Sequence, residues 1–355
     1  ATITHNGATT TIQQHSNRAV IEWNDFSIDS GELTQFLQGG GNVAVLNKVI
    51  SSLPSNIAGQ LTADGQVYLI NPNGVIFGQG ARIDAHSFIA STLDIAAGDF
   101  MAGGDLNFKG DSGAAIVNLG EIHAGHGDVL LIARQVRNEG TISAKAGEVG
   151  LVASADVYLS VTSENGTRIT VKANDFGADL KDKIGVDSKG LIEAARVKLE
   201  AMDGDIYDMA INNSGRIYAT GLQSGEGGGI KLVAHGQASK VENSGHLFAR
   251  KASGQGGRVE ILGRHIAIRK GSVIDVQGKG LVETQVADAG AFNRGQNGGG
   301  EVYIGGDYQG KGTLPTAKTT IIEQNVTINA DASGTGDGGK VIVWADKSTK
   351  FSGTI

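Results

Sequence analysis

Apolar and polar residues alternate along Val117–Ala133, VNLGEIHAGHGDVLLIA, and the same pattern returns along Val136–Ala153. Asn118 matches Asn138, Gly120 matches Gly140, Ile122 matches Ile142, Ala124 matches Ala144, and Gly127 matches Gly147. Val129, Leu131 and Ala133 match Val149, Leu151 and Ala153, and every offset is 20 residues. Looser copies pair Ser188–Ala194 with Val197–Ala201, Asn213–Ala219 with Ile230–Ala234, and Asn243–Ala249 with Val259–Leu262. Gly271–Val276, then Val326–Ala332 with Val341–Trp344, extend the series. Each unit reads as turn, strand, glycine turn, strand, with a period of two inside the strands. A unit of this kind cannot bury its apolar side alone, so it must stack on its neighbours, strand over equivalent strand. Equal spacing then becomes parallel pairing at ~4.8 Å per coil, wound with the right hand that parallel crossovers favour. Ile122/Ile142 and Leu131/Leu151 are expected as inward aliphatic ladders. Asn118, Asn138, Asn213 and Asn243 fall at one turn position, where stacked amides can bond rung to rung.

Upstream, strand-like runs occur at Thr9–Ile12, Ala19–Trp23, Phe26–Ile28, Leu33–Phe36 and Val43–Val49. Ser52–Asn56 is expected to open one helical turn, and Ser91–Ala97 is the best helix candidate. Residues 81–109 otherwise continue the strand–turn rhythm. In Gln66–Gly80, QVYLINPNGVIFGQG, two apolar runs, Val67–Ile70 and Val75–Phe77, flank Asn71-Pro72-Asn73-Gly74. The flanks are β-branched or aromatic at most positions and read as strands. The centre suits a tight turn: proline pre-sets φ, asparagine tolerates a left-handed φ, and glycine takes one freely. Asn71 can also bond the backbone two residues on, which would stiffen the turn.

Two segments break the period. Residues 155–185 carry Asn165-Gly166 between Tyr158–Thr162 and Arg168–Val171, a hairpin signal, so this segment is expected to project from the solenoid. Residues 278–300 read as a longer mobile loop. The organisation expected is an all-β, right-handed parallel β-helix with an N-terminal cap and an extra-helical hairpin. Its parts are a unit of cap and first coils over 1–160, the hairpin insertion over 155–185 and continuing coils over 186–355. Ala1 is not an initiator methionine, so the chain reads as a mature segment. It stops at Ile355 within what would be another coil, so it also reads as the first portion of a longer solenoid.

Composition narrows the function classes. The 355 residues include 55 glycines but only 3 prolines and no G-X-Y period, which excludes collagen and a proline-rich linker. The net charge of −7 with scattered basic residues argues against nucleic acid and against a polybasic membrane patch. No apolar run is long enough to span a membrane as a helix. Without cysteine there are no disulfides, zinc thiolates or thiol nucleophiles, an absence that suits a chain threading a pore unfolded.

Several short matches invite chemistry and resolve as turns. Gly110-Asp111-Ser112-Gly113 copies the tetrapeptide around a trypsin-like serine, but the histidine motif and scaffold are missing. His123 and His126 lack a third ligand at a useful spacing. Gly334–Lys340, GTGDGGK, lacks the spacing and the strand–helix context of a phosphate loop. Asn165, Asn212 and Asn325 head glycosylation-type sequons, a match short enough to arise by chance. A β-helical polysaccharide lyase or hydrolase is the enzyme alternative, since such enzymes gather carboxylates on one solenoid face. Gly125-His126-Gly127 is similar to a short motif of β-helical galacturonases, yet no Asp-Asp pair or Asn-Thr-Asp accompanies it. No catalytic residue, cofactor or metal is expected.

Five motifs in order carry a family likeness. They are Asn17–Ile28, NRAVIEWNDFSI; Ala44–Val49, AVLNKV; Ile57–Leu61, IAGQL; Gly65–Val75, GQVYLINPNGV; and Ala90–Ile95, ASTLDI. Together they resemble the N-terminal domain of two-partner secretion exoproteins of the filamentous-haemagglutinin type. Within that family they are most similar to the high-molecular-weight adhesin and haem–haemopexin utilisation subgroup. The likeness is densest in the first third of the chain, and the later coils fit the family's adhesin-like body. The resemblance implies type V secretion across the periplasm of a Gram-negative bacterium to the cell surface or beyond. It implies recognition by the POTRA domains of a TpsB-type outer-membrane transporter, and a monomeric domain. Any host-cell or matrix ligand would be taken by regions beyond Ile355. The family's secretion motif falls on Asn71, Pro72, Asn73 and Gly74, and its asparagine after the aliphatic pair on Asn47. The chain has no second, earlier Asn-Pro-Asn, which fits the single-motif subgroup. A purely structural or adhesive solenoid is the remaining alternative.

Overall fold

The computed structural model describes residues 1–162, 166–171, 180–202, 207–220, 228–278, 298–333 and 336–355. The chain winds as a right-handed parallel β-helix in which short strands pile into three parallel stacks. The first stack includes Gln60–Ala63, Arg82–Ala85 and Glu121–Ala124. The second includes Ala44–Val49, Gln66–Ile70, Ser87–Ser91 and Val129–Ala133. The third runs Ser55–Ile57, Val75–Phe77, Ala115–Asn118 and Gln135–Asn138. Register follows the repeat: Ile122 lies over Ile142 and Leu131 over Leu151, all buried in one continuous core. Period-two alternation places these residues inward and their polar neighbours outward, which is why equal spacing in sequence becomes a ladder in space.

The asparagine column forms as expected, in two pieces. Asn118 Nδ2 donates to Asn138 Oδ1 at 2.8 Å, and Asn213 Nδ2 to Asn243 Oδ1 at 2.7 Å. Ser188 occupies the rung between the two pieces. Two residues after the column the chain is always glycine, because coils touch backbone to backbone there. A Cβ on Gly140 would stand 2.1 Å from the Gly120 carbonyl oxygen.

The N-terminal end is closed by a cap. Thr2–Asn6 pairs antiparallel with Thr9–Gln13, which starts the first stack by pairing parallel with Leu33–Leu37. Trp23 meets Phe26 edge-on at 5.2 Å and Phe26 stacks on Phe36 at 6.5 Å, plugging the bore beneath the cap. The exposed strand Thr2–Asn6 carries no apolar stripe, so the pattern gave no sign of it.

Three expectations are corrected. Ser91–Ala97 is not the helix: Ser91 closes a strand, Leu93 and Ile95 are buried by alternation, and the helix is Ala97–Ala102. Ser52–Asn56 forms no helical turn, because Ser55–Ile57 is pulled into the third stack by pairing with Val75–Phe77. The hairpin, Asp156–Thr162 with Gly166–Val171, is antiparallel and lies outside the solenoid, but it does not project. Its first strand pairs with Leu106–Lys109, which also leaves the coil rhythm expected for residues 81–109. Val157, Leu159, Leu106 and Phe108 then pack onto the outer side of the second stack, against Leu46, Tyr68, Ile70, Ile89, Leu130, Ile132 and Val152. Of the segment read as a mobile loop, residues 279–297 lie outside the described residues.

Candidate functional site

Asn71–Gly74 is the corner where the chain leaves the second stack for the third. Gly74 N donates to the Asn71 carbonyl at 3.1 Å, closing a four-residue turn. Asn73 N donates to Asn71 Oδ1 at 2.9 Å, the local bond that short asparagine side chains favour. The left-handed φ falls on Gly74 alone, at 108°, and Asn73 keeps a negative φ. Asparagine is therefore present here for its amide, not for its tolerance of a left-handed backbone.

Those amides reach back to the preceding coil. Asn71 Nδ2 donates to the Leu53 carbonyl at 3.0 Å and to Ser55 Oγ at 2.9 Å. Asn73 Nδ2 donates to the Ser51 carbonyl at 2.8 Å. Ser55 N donates to the Gly74 carbonyl, so the two coils are also joined through backbone. The following turns hold the corner from the other side: Asn71 N donates to the Ser91 carbonyl, and Ser112 Oγ to the Pro72 carbonyl. Asn71 and Ser55 are fully buried, and Pro72 is exposed. All of these bonds join neutral groups, so the corner is a mechanical clasp across three successive turns.

Asn47 lies elsewhere. It points into the bore from the second stack, one coil before the corner. It accepts from Trp23 Nε1 at 3.0 Å and donates to the Tyr68 carbonyl at 3.2 Å. It therefore ties the capping tryptophan to the strand that leads into the turn. The structure brings Asn71, Pro72, Asn73 and Gly74 together and leaves Asn47 on a separate bond network. Ser51, Ser55 and Ser112 are partners that sequence reasoning missed. Ser112 sits in the protease-like tetrapeptide, where its hydroxyl holds a turn.

Other candidates resolve structurally. His126 stacks on His86 with ring centroids 5.6 Å apart, and His123 is exposed on the first stack. Among the described residues no three metal-ligating side chains converge, and no helix is long and apolar enough to cross a membrane. Acids on the outer side of the second stack sit in ion pairs: Glu148 with Arg196 at 3.4 Å, Glu200 with Lys198 at 2.5 Å, and Glu260 with Lys231 at 3.2 Å. Burial first, and Asp128 second, push the Glu148 carboxyl above its ordinary range. Asn212 is half-buried and bonded to Asp187, Asn325 is exposed with φ 60°, and Asn165 lies outside the described residues.

The family model of the TPS secretion domain matches residues 1–248 of the 355. The chain belongs to the TPS secretion domain family. Heme/hemopexin-binding proteins of Haemophilus influenzae are similar to this TPS domain. One is 44% identical over 85 residues, 24% of this chain, and that of strain Rd is 31% identical over 202 residues, 54% of it. These matches span 9% and 21% of the relatives' own lengths. The crystal structure of the HMW1 secretion domain from Haemophilus influenzae aligns over 100% of this chain and 96% of its own. That alignment has a TM-score of 0.76 at 27% identity. TPS domains belong to large exoproteins that Gram-negative bacteria secrete through an outer-membrane TpsB transporter, and they serve secretion and structure rather than catalysis.

Proposed function

We propose that this TPS domain is recognised by the POTRA domains of its transporter while unfolded, and that it nucleates β-helix folding at the cell surface. The exoprotein it leads is of the adhesin type, and its host-cell or matrix ligands are taken by regions beyond Ile355. Residues 1–160 act as the secretion unit, and the coils of 186–355 continue the solenoid.

The observation that carries this reading is the closure of Asn71–Gly74 onto the coil before it. In the folded turn the Asn71 and Asn73 amides are engaged by Ser51, Leu53 and Ser55. Asn71 is fully buried in the folded turn, so a partner that reads it can reach it only before the coil closes. Binding and folding then compete for the same amides, which suits a chain held extended in the periplasm and released outside. Once the cap and first coils form, each new unit adds strand hydrogen bonds and apolar burial of ~25 cal/mol per Å² to an existing template. Asn47 supports the same step by fixing Trp23 beneath the cap.

The test is co-expression with the cognate transporter, measuring the secreted fraction for Asn71→Ala, Asn73→Ala and Asn47→Ala. Loss of export with wild-type amounts retained in the cell is expected for the first two, and a smaller loss for Asn47→Ala. Normal export of Asn71→Ala would sink the proposal. Binding of the denatured fragment to isolated POTRA domains separates failure of recognition from failure of folding.

A further inference from the structure

Asn73 is followed directly by Gly74, and in a relaxed chain such a pair can react with itself. The backbone nitrogen of the glycine attacks the side-chain amide carbon of the asparagine, because no Cβ on the glycine stands in the way. The same dipeptide occurs at Asn6-Gly7 in the cap hairpin, where Asn6 is exposed. In the folded corner both reacting groups of Asn73-Gly74 are held. Gly74 is buried, and its N–H, the nucleophile, donates to the Asn71 carbonyl at 3.1 Å. Asn73 Nδ2, the leaving group, donates to the Ser51 carbonyl at 2.8 Å and to Asn71 Oδ1 at 3.2 Å. Base must remove the Gly74 proton before the attack, and a buried, bonded N–H is shielded from base until its segment opens.

We propose that Asn73-Gly74 is a self-modification site that reacts while this corner is open and whose products cannot close it. In the reaction the Gly74 N–Asn73 Cγ bond forms and the Cγ–Nδ2 bond breaks. The proton lost from Gly74 N leaves with the amide nitrogen as ammonia, so the step needs no oxidant, reductant or cofactor. Water then opens the cyclic imide at one of its two carbonyls, giving aspartate or isoaspartate. Aspartate puts an oxygen where Nδ2 stood, facing two acceptors, the Ser51 carbonyl and Asn71 Oδ1. Isoaspartate lengthens the backbone by a methylene, so the Gly74 carbonyl no longer meets Ser55 N in register. An unfolded chain therefore loses its ability to fold with time, and closure of the coil stops that clock.

The test keeps the whole chain, folded or denatured in urea, in mildly alkaline buffer and follows Asn73 by peptide mapping and mass spectrometry. Asn73 is expected to convert more than about tenfold more slowly in the folded chain. A partly converted denatured sample is then refolded, and limited proteolysis separates folded from unfolded chains. Folded chains should retain intact Asn73, with its products concentrated among the unfolded ones. Conversion of Asn6, exposed on the cap, should be equal in the two fractions and serves as the internal control. Equal conversion of Asn73 in folded and denatured chains overturns the proposal. So does modified Asn73 in the refolded fraction at the level of Asn6.

Discussion

The second stack has two halves that share one inner side and differ on the outer. From Ala44 to Ala153 both sides are buried: Leu131 faces the bore while Leu130 and Ile132 face the covering layer. From Arg196 onward Val197 and Leu199 still face the bore, but the outward positions become Lys198, Glu200, Lys231 and Glu260. Among the described residues charged pairs then take the place of apolar cover. Lys198 meets Glu200 at 2.5 Å, Arg258 meets Glu260 at 2.6 Å, and Arg258 lies 4.2 Å over the Tyr303 ring. A parallel strand buried on both sides needs an unbroken apolar run, and one with a bare side alternates. The same rung geometry thus serves both halves, and the outward residues decide whether a second layer can sit on it. The hairpin and the helix segment settle where VLLIA and its neighbours offer an apolar face. Arg18 and Lys48 fasten that layer through the Phe100 and Ile95 carbonyls.

A charge placed under the cover should break the comparison most sharply. Leu130→Lys puts an ammonium between two apolar layers and should cost more than ~4 kcal/mol or prevent folding. Lys231→Ala, on the charged half, should cost about 0.5 kcal/mol or less, because Lys231 is itself half exposed and Glu260 keeps Arg258. Equilibrium denaturation of the two variants measures both, and equal costs would erase the distinction between the halves. Truncation of the cover itself ranks next. Phe108→Ala removes a fully buried ring from the second core and should cost about 3–5 kcal/mol. Hydrogen exchange should then rise in Ser87–Ser91 and Val129–Ala133, whose outer side it uncovers, and stay unchanged beyond Arg258.

Most of the solenoid was legible because its rule is local. An offset of 20 residues and a period of two fix which residues stack and which face inward. The Asn71–Gly74 turn was legible for the same reason, since its proline, its glycine and its Asn71–Asn73 bond act within four residues. Contacts made across coils left little trace. Nothing in the sequence marks Ser51, Ser55 and Ser112 as partners of that turn, because register alone brings them there. The hairpin was recognisable from Asn165-Gly166, but its resting place depends on Leu106, Phe108 and Val157 meeting residues from five strands. The helix was misplaced because Leu93, Ala96 and Ala97 fall at helical spacing while Leu93 and Ile95 fall at the spacing of alternation. The covering layer decides in favour of alternation.

The smallest expected effect lies at the corner between the first and second stacks. His86 is half-buried there, stacked on His126, and its ring fits because Gly41 has no Cβ; one would stand 2.3 Å from it. Burial first, and the His126 ring second, hold the His86 pKa below its ordinary 6.5, while Asp128 pulls the other way. The folded state therefore releases this proton more readily than the unfolded chain does. The resulting stability is fully present above the unfolded value and is lost as pH falls through the lower folded one. Unfolding midpoints measured from about pH 7 down to about pH 5 should fall for the wild type. His86→Gln should flatten that part of the curve, and His126→Gln should flatten it partly, since only one of two depressing influences is removed. Three parallel curves would mean that the stacked pair contributes nothing to the pH response. The fall would then belong to other groups in the chain, such as His265, whose pKa burial and nearby cations also hold low.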